Sequence, residues 1–322
     1  MEREATPIPA VATNLKHKVP RTIAGYRLVT KLGQGGMAAV FKAHQVAMDR
    51  HVALKVLAPA QVQDRNLRTR FMREARLIGR VQHDNVITCY EVGESDGYLF
   101  MALELAEHGD ALRLAKSLGG AVPERMAIGL MRDSARGLMA IHRAGLLHRD
   151  IKPANIFLTQ PTQAKLADMG VAKDIRRLTE SDQGISGAHA IIGSPAYMPP
   201  EQALGARPDV RSDIYALGAS FFQLLTGRLP YLGATAPETL ALLMSQPVPD
   251  AQALAPHLSP GIGALLRRCL AKDAAGRPKS ALEVLEELDP LTARAGASDT
   301  LAWPALDRAY DAPSPGLLRC PF

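Results

Sequence analysis

The sequence predicts an α+β protein of two lobes, a small β-rich N-terminal lobe carrying one helix and a larger, mainly α-helical C-terminal lobe. Two observations carry this. Between residue 26 and about 104 the apolar residues fall in short runs rich in Val, Leu and aromatics, separated by turn residues. After residue 110 they recur instead at helical spacing, with recognisable start and stop signals. The 322 residues are ample for a buried core, and 47% hydrophobic against 22% charged is a globular balance.

Taken in order, residues 1–25 are rich in Pro, Ala and Thr and are expected to be a flexible tail. "YRLVTKL", "AAVFKAHQV", "HVALKVL" and "YLFMALEL" read as strands, interrupted by one helix around 64–80. "PERMAIGLMRDSARGLMAIHRAG" opens on Pro123 and Glu124 and closes at Gly145, the pattern of a capped helix. "SDIYALGASFFQLLTG" is apolar nearly all round, which predicts a buried helix. "PKSALEVLEEL" (278–288) is a last amphipathic helix, and 290–322 returns to Ala, Pro, Ser and Gly, a second expected disordered tail. The folded part is therefore 26–289, with the lobes meeting near 105.

The charge, 38 basic against 32 acidic residues for a net +6, is a mild bias towards anionic ligands. No block of like charge points to nucleic acid, and none is expected as a partner. Three widely spaced cysteines form neither a disulfide framework nor a zinc site, which suits a reducing compartment. The N-terminus lacks a signal-peptide core, and "IYALGASFFQLL" is too short and too interrupted to span a membrane. The expected location is the cytoplasm.

Several polar residues stand where a bland fold would not put them. Gly33, Gly35 and Gly36, between two strands, permit a backbone to approach a phosphate, although such a cluster also serves as an ordinary hairpin turn. Val40 suits the roof over a flat base or plain strand core. Lys55 is the one cation in the apolar strand "VALKVL"; it faces either solvent or an inward anion. Glu74 lies between Phe71 and Ile78 on the apolar face of its helix, where a carboxylate is costly unless paired. Lys55 is one partner for it; Arg70 and Arg73 are local alternatives. "GLLHRDIKPANIFL" places His148, Arg149, Asp150, Lys152 and Asn155 within eight residues between apolar flanks. A proton-accepting carboxylate, a cation and a metal-binding amide are the parts that phosphoryl transfer needs. A β-hairpin would bring Asn155 to Asp168, giving two hard oxygen donors suited to Mg²⁺.

These stretches, with "GSPAYMPPEQ" and "DIYALG", resemble in order and spacing the eukaryotic-like (Hanks-type) serine/threonine protein kinases of bacteria over roughly residues 26–289. The resemblance implies the bilobal protein-kinase fold, with the N-lobe helix as a regulatory element. It implies ATP and Mg²⁺, with Mn²⁺ as a substitute, and a protein substrate phosphorylated on Ser or Thr. Carried onto this sequence, Gly33, Gly35 and Gly36 cover the phosphates, Lys55 binds the α/β-phosphates and pairs with Glu74, and Glu104, Leu105 and Ala106 form the hinge that holds adenine, with Leu103 as gatekeeper. Asp150 orients the substrate hydroxyl and accepts its proton, Lys152 neutralises the γ-phosphate, and Asn155 and Asp168 hold the metal. Lys152, two residues after Asp150, is the Ser/Thr-type arrangement. Glu201 is implied to pair with Arg277, and Asp213 to prop the catalytic loop. Residues 171–200 would be the activation loop, with Thr179, Ser181 and Ser186 as candidate phosphosites for Arg149 to receive, through autophosphorylation in a transient dimer. Ser194 stands at a position where the family usually has Thr, and is read as a substrate-loop contact.

Two departures stand out. Ala38 occupies the third glycine position of the loop, and Met169 stands where Phe is usual, an apolar and adaptable replacement. Every charged or metal-binding position is present, which favours an active enzyme over its rival, an ATP-binding scaffold of pseudokinase type.

Overall fold

The protein is described by a computed structural model over residues 20–34, 38–160, 162–169 and 195–294. Gly35, Gly36, Gly170, Thr179, Ser181, Ser186 and Ser194 lie outside the described residues.

The N-terminal lobe is an antiparallel sheet of six strands: β1 (Thr22–Ile23), β2 (Tyr26–Gln34), β3 (Ala39–Gln45), β4 (Arg50–Leu57), β5 (Cys89–Ser95) and β6 (Tyr98–Leu103). Their spatial order is β1-β2-β3-β4-β6-β5. Two turns follow from local chemistry. Asp96 and Gly97, with φ of 50° and 78°, join β5 to β6 in a two-residue turn of the kind Asp-Gly favours. Ala24 and Gly25, at 47° and 82°, do the same between β1 and β2. Strand β4 alternates strictly. Val52, Leu54 and Val56 pack with Ile23, Tyr26 and Phe100 on one face. Leu57 joins the main core on the other, the face that Lys55 shares with it.

Two short helices connect β4 to β5: α1 (Pro59–Val62) and α2 (Arg65–Ile78). Asp64 caps α2, accepting from the amides of Asn66 and Leu67 at 2.8 and 3.3 Å. Phe71, Glu74, Ala75 and Ile78 form its buried face.

The C-terminal lobe holds α3 (Ala111–Ser117), α4 (Glu124–Arg143), a hairpin of β7 (Ile156–Gln160) and β8 (Gln163–Leu166), then α5 (Pro200–Ala203), α6 (Val210–Thr226), α7 (Ala236–Ser245), α8 (Ala251–Leu254), α9 (Pro260–Cys269) and α10 (Ala281–Arg294). Helix α6 is buried from Ser212 to Phe222. On α4, Gly137 comes so close to the segment after α2 that a Cβ would sit 2.3 Å from the Asn85 carbonyl oxygen. That contact and the amide of Leu166 donating to the same Asn85 carbonyl, at 2.9 Å, tie the two lobes together. One apolar core runs through both, from Phe71 and Met101 to Leu166, Phe221 and Val284.

The expected tails shrink at both ends. Residues 22 and 23 are not tail but strand, with Ile23 1% exposed; two residues are too short a run for periodicity to reveal. At the other end α10 continues through Pro290 to Arg294, because Leu291 packs on the core at a point where Gly261 leaves no side chain in its way. Strand β5 was also invisible as a strand: it is a polar sheet edge with no alternation to read.

Candidate active site

The cleft between the lobes collects most of the singled-out residues. From the N-lobe side, Lys55 Nζ meets Glu74 Oε1 at 2.6 Å and Asp168 Oδ1 at 3.5 Å. Of the partners open to Glu74 in sequence, the structure selects Lys55, because β4 turns that side chain towards the buried face of α2. Burial works against the Lys55 charge, but the carboxylates of Glu74 and Asp168 outweigh it and hold the ammonium well above its ordinary value. Glu74 itself is pushed up, chiefly by burial and against the pull of Lys55. Gly33 pairs with Val40 across β2 and β3, and Val40 pairs with Lys55 across β3 and β4, so the start of the glycine loop lies two strands from the lysine.

From the C-lobe side, the loop 148–155 is wired to itself and to α6. Asn155 Nδ2 donates to the Asp150 carbonyl at 2.8 Å and to Asp150 Oδ2 at 2.9 Å. Lys152 Nζ reaches the same Oδ2 at 3.0 Å. Arg149 has φ +65°, a left-handed conformation that costs a residue with a side chain about 1–3 kcal/mol. Asp213 on α6 holds it there: its two oxygens accept from the amides of His148 at 2.8 Å and Arg149 at 2.7 Å. His142, in the last turn of α4, adds a third contact at 2.9 Å. Burial alone would raise Asp213, but the bond from His142, the His142 and His148 imidazoles and the Arg149 amide reverse that and hold its carboxyl below the ordinary range.

The hairpin β7–β8 brings the two metal candidates together. Ile156 pairs with Leu166, and the amide of Ala167 donates to the Asn155 carbonyl at 3.0 Å. Asp168, two residues past β8, has φ +55° and a side chain 49% exposed, so its carboxylate stands in the open cleft. With Asn155 Nδ2 engaged by Asp150, its oxygen is the atom left for a metal. Among the described residues no group of three His, Cys, Asp or Glu side chains could hold a metal alone. Two oxygen donors plus phosphate oxygens and water do fit Mg²⁺, which rarely occupies an all-protein cage.

At the stretch expected to form the hinge, Glu104, Leu105 and Ala106 follow β6 directly, behind buried Leu103. The Glu104 carboxylate is tied down by a residue not singled out in the sequence. Lys165 on β8, 9% exposed, places Nζ at 2.7 and 3.0 Å from its two oxygens. The Thr88 amide adds 3.2 Å. One ion pair thus joins the hinge to the strand that leads to Asp168. The only signal was a cation in the strand-like "AKLA". His142 was missed too, as an unremarkable residue near a helix end.

Further out, Arg277 is 1% exposed and bidentate on Glu201, both bonds 2.8 Å, with three backbone carbonyls taking the rest of its donors. Tyr197 donates to Gln223 at 2.5 Å. It lines a small cavity with Arg149, Asp150 and Asp213, and so reaches the loop 148–155. Ala38 is buried in the main core, so its methyl group packs there. Met169 is likewise buried, beside a gap of about 20 Å³ bounded by Ile78, Leu103 and Leu166.

Residues 26–288 match the family model described as the protein kinase domain. Among curated proteins, the chain is 38% identical to serine/threonine-protein kinase pkn2 of Myxococcus xanthus over 299 residues, covering 90% of this chain and 35% of the relative. It is 36% identical to pkn3 of the same organism, covering 84% of this chain and 50% of pkn3. To PknL of Mycobacterium tuberculosis it is 32% identical, covering 83% and 65%. The chain therefore spans between about a third and two thirds of the length of these relatives. Among solved structures, the PknI kinase domain of Mycobacterium tuberculosis superimposes with a TM-score of 0.60 at 29% identity, covering 84% of this chain and 96% of that one.

Proposed function

The chain belongs to the protein kinase domain family, on the branch of the bacterial serine/threonine kinases, and from that premise we propose that it is an active enzyme that transfers the γ-phosphoryl group of ATP to Ser or Thr of a protein substrate. The observation that carries the proposal is the convergence of Lys55, Glu74, Asp150, Lys152, Asn155 and Asp168 on one cleft, with none of these positions substituted.

In this reading the hinge at Glu104–Ala106 takes the adenine by its backbone, under Val40 and the loop of Gly33, Gly35 and Gly36. Lys55 fixes the α/β-phosphates. Asn155 and Asp168 would hold Mg²⁺, which would supply neutralisation of phosphate charge. Asp150 orients the substrate hydroxyl; the hydroxyl oxygen bonds to the γ-phosphorus as the bond to the β–γ bridging oxygen breaks, and the hydroxyl proton passes to the Asp150 carboxylate. Lys152 offsets the charge on the transferring group. The transition state is loose, so most of the catalysis is positioning and electrostatics. Asp213, through Arg149, and Glu201 with Arg277 keep the loop and its support in place.

ATP as co-substrate puts the reaction on the cytoplasmic side. Among the described residues no helix is long and apolar enough to cross a membrane. Phosphorylation of Thr179, Ser181 or Ser186, in trans within a transient dimer, would give Arg149 an anion to receive.

The test is incubation of the purified chain with labelled ATP and Mg²⁺ beside Asp150→Asn and Asp168→Ala, with phosphosites mapped by mass spectrometry. Label in the wild type, reduced by about a hundredfold or more in both variants, is the expected result. No label in any of the three, with Mn²⁺ and generic substrates also tried, would sink the enzyme reading and leave the scaffold.

A further inference from the structure

Arg50 opens β4, five residues before Lys55 and therefore about 17 Å along the strand from it. Its guanidinium is fixed from two directions. Nε donates to Gln45 Oε1 at 2.7 Å, and the central carbon lies 3.8 Å from the centre of the Tyr90 ring. Gln45 is itself anchored. It pairs with Arg50 across β3 and β4 and with Tyr26 across β2 and β3. Its amide donates to the Tyr26 hydroxyl at 3.0 Å, which in turn donates to Glu91. Tyr90 is the extra residue of a bulge between Cys89 and Glu91, a device that re-aims a side chain. Strands β2 to β5 thus hold one guanidinium. Its two terminal nitrogens keep their N–H donors, and among the described residues no carboxylate pairs with them.

Arg50 and Tyr90 line an open cavity of about 480 Å³, within the range of small-molecule sites. It shares Glu104 and Leu105 with the stretch expected to form the hinge, but none of Lys55, Asp150, Asn155 or Asp168 borders it. Its three carboxylates each have a partner already. Asp49 meets His44 Nε2 at 2.8 Å, Glu104 meets Lys165 at 2.7 Å and Glu107 meets Lys42 at 3.5 Å. The wall contributed by the β7–β8 hairpin is neutral and polar: Thr159, Gln160 and Gln163. Thr159 donates to Gln163 Oε1 at 3.1 Å. Among the described residues, nothing takes up the Gln163 amino group or the Gln160 side-chain amide.

We infer that this cavity is a second ligand site, separate from the cleft, for a small polyhydroxylated anion such as a sugar phosphate or a sugar acid. The Arg50 fork takes the phosphate or carboxylate through its terminal nitrogens, and the hairpin amides take the hydroxyls. Because stacking on Tyr90 and the bond to Gln45 already fix the guanidinium, little ordering remains to be done on binding. One uncommitted guanidinium suits a ligand with one anionic group. A run of acidic residues in a peptide would meet repulsion from Asp49 and Glu107, whose side chains are 94% and 61% exposed at the rim.

The test is isothermal titration calorimetry on the full chain with glucose 6-phosphate, gluconate, inorganic phosphate and glucose as probes. We expect saturable binding of glucose 6-phosphate or gluconate, the tighter of the two identifying the anionic group as phosphate or carboxylate. Arg50→Met should weaken it about tenfold or more. Gln160→Ala/Gln163→Ala should weaken the sugar ligand and leave inorganic phosphate unchanged. Lys55→Met, in the cleft, and Arg228→Met, an exposed cation elsewhere, should bind the probe as the wild type does, so the outcome is independent of catalysis. Coincident thermal melts exclude misfolding, and the glutamine variant carries the test if Arg50→Met does not fold. Absent binding of both sugar ligands to the wild type overturns the assignment. An equal loss in Lys55→Met or Arg228→Met overturns it as well, by placing the anion in the cleft or on the surface at large. Tighter binding of a triglutamate peptide than of either sugar ligand overturns the ligand class.

Discussion

Glu74 on α2 and Asp213 on α6 are both buried carboxylates with partners on neighbouring elements, yet their surroundings differ in kind. Asp213 accepts from two backbone amides and a histidine, all at 2.7–2.9 Å, and its carboxyl is held below the usual range. Glu74 has one strong partner, Lys55, which also leans towards Asp168, and burial pushes its carboxyl up. Asp213 is a fixed strut, over-satisfied as an ion. Glu74 is a latch with a single bolt. The contrast sets a strained loop conformation held by several bonds against a helix whose buried acid has a single ion-pair partner on β4.

The largest effect should come from the strut. Asp213→Ala leaves two loop amides without acceptors and Arg149 without a reason to stay at positive φ. We expect kcat to fall about a hundredfold with a small change in the KM for ATP, and stability to fall by about 3–5 kcal/mol in urea titration. Asp213→Asn, which keeps an acceptor, should recover part of the rate. An equal loss in KM and kcat would show that Asp213 is no more specific than Glu74.

Glu74→Gln should behave oppositely. We expect kcat/KM to fall about tenfold, while stability stays within about 1 kcal/mol, since a neutral amide removes a poorly solvated charge and still accepts a bond. A stability loss like that of Asp213→Ala would erase the distinction between latch and strut.

Acid titration separates the two without mutation. A raised carboxyl takes up its proton early as pH falls. Glu74's raised value means folding stability is greater below its unfolded value and declines as pH rises through the folded one. Asp213's lowered value means its contribution is present above the ordinary Asp range and lost only as pH falls through the depressed one. Descending in pH, nucleotide binding that depends on Lys55–Glu74 should weaken first, and hydrogen-exchange protection of the His148 and Arg149 amides should follow at lower pH. A single coincident transition would contradict the comparison.

A smaller effect should come from Lys165→Met, which frees the Glu104 carboxylate at the hinge. We expect the KM for ATP to rise about threefold to tenfold with kcat nearly unchanged, and Glu104→Gln to add little to it, because the two residues share one interaction. Additive losses would show two separate roles.

How much of this could be read in advance is clear from individual residues. The β-rich and helical halves followed from periodicity, and so did the buried character of α6, since period 2 and period 3.6 are local properties of a chain. Asp150, Lys152, Asn155 and Asp168 stood out as candidates because they cluster in short apolar-flanked stretches. Lys165 and His142 were not, because each lies alone in an ordinary strand or helix and gains its meaning from a carboxylate 61 or 71 residues away in sequence. Strands β1 and β5 escaped for a related reason: one is two residues long, and the other is a polar edge that pairs without a hydrophobic pattern.

What the sequence determined by itself is the identity of the chemical groups and their local spacing: which loop carries the carboxylate, cation and amide, and which helix face carries the buried acid. What only the tertiary structure decided is the pairing and the charge state. Lys55, rather than Arg70 or Arg73, answers Glu74, because strand alternation and the placement of α2 set the distance. Two buried acids that look alike in sequence titrate in opposite directions, because desolvation and the count of converging donors are properties of the assembled fold.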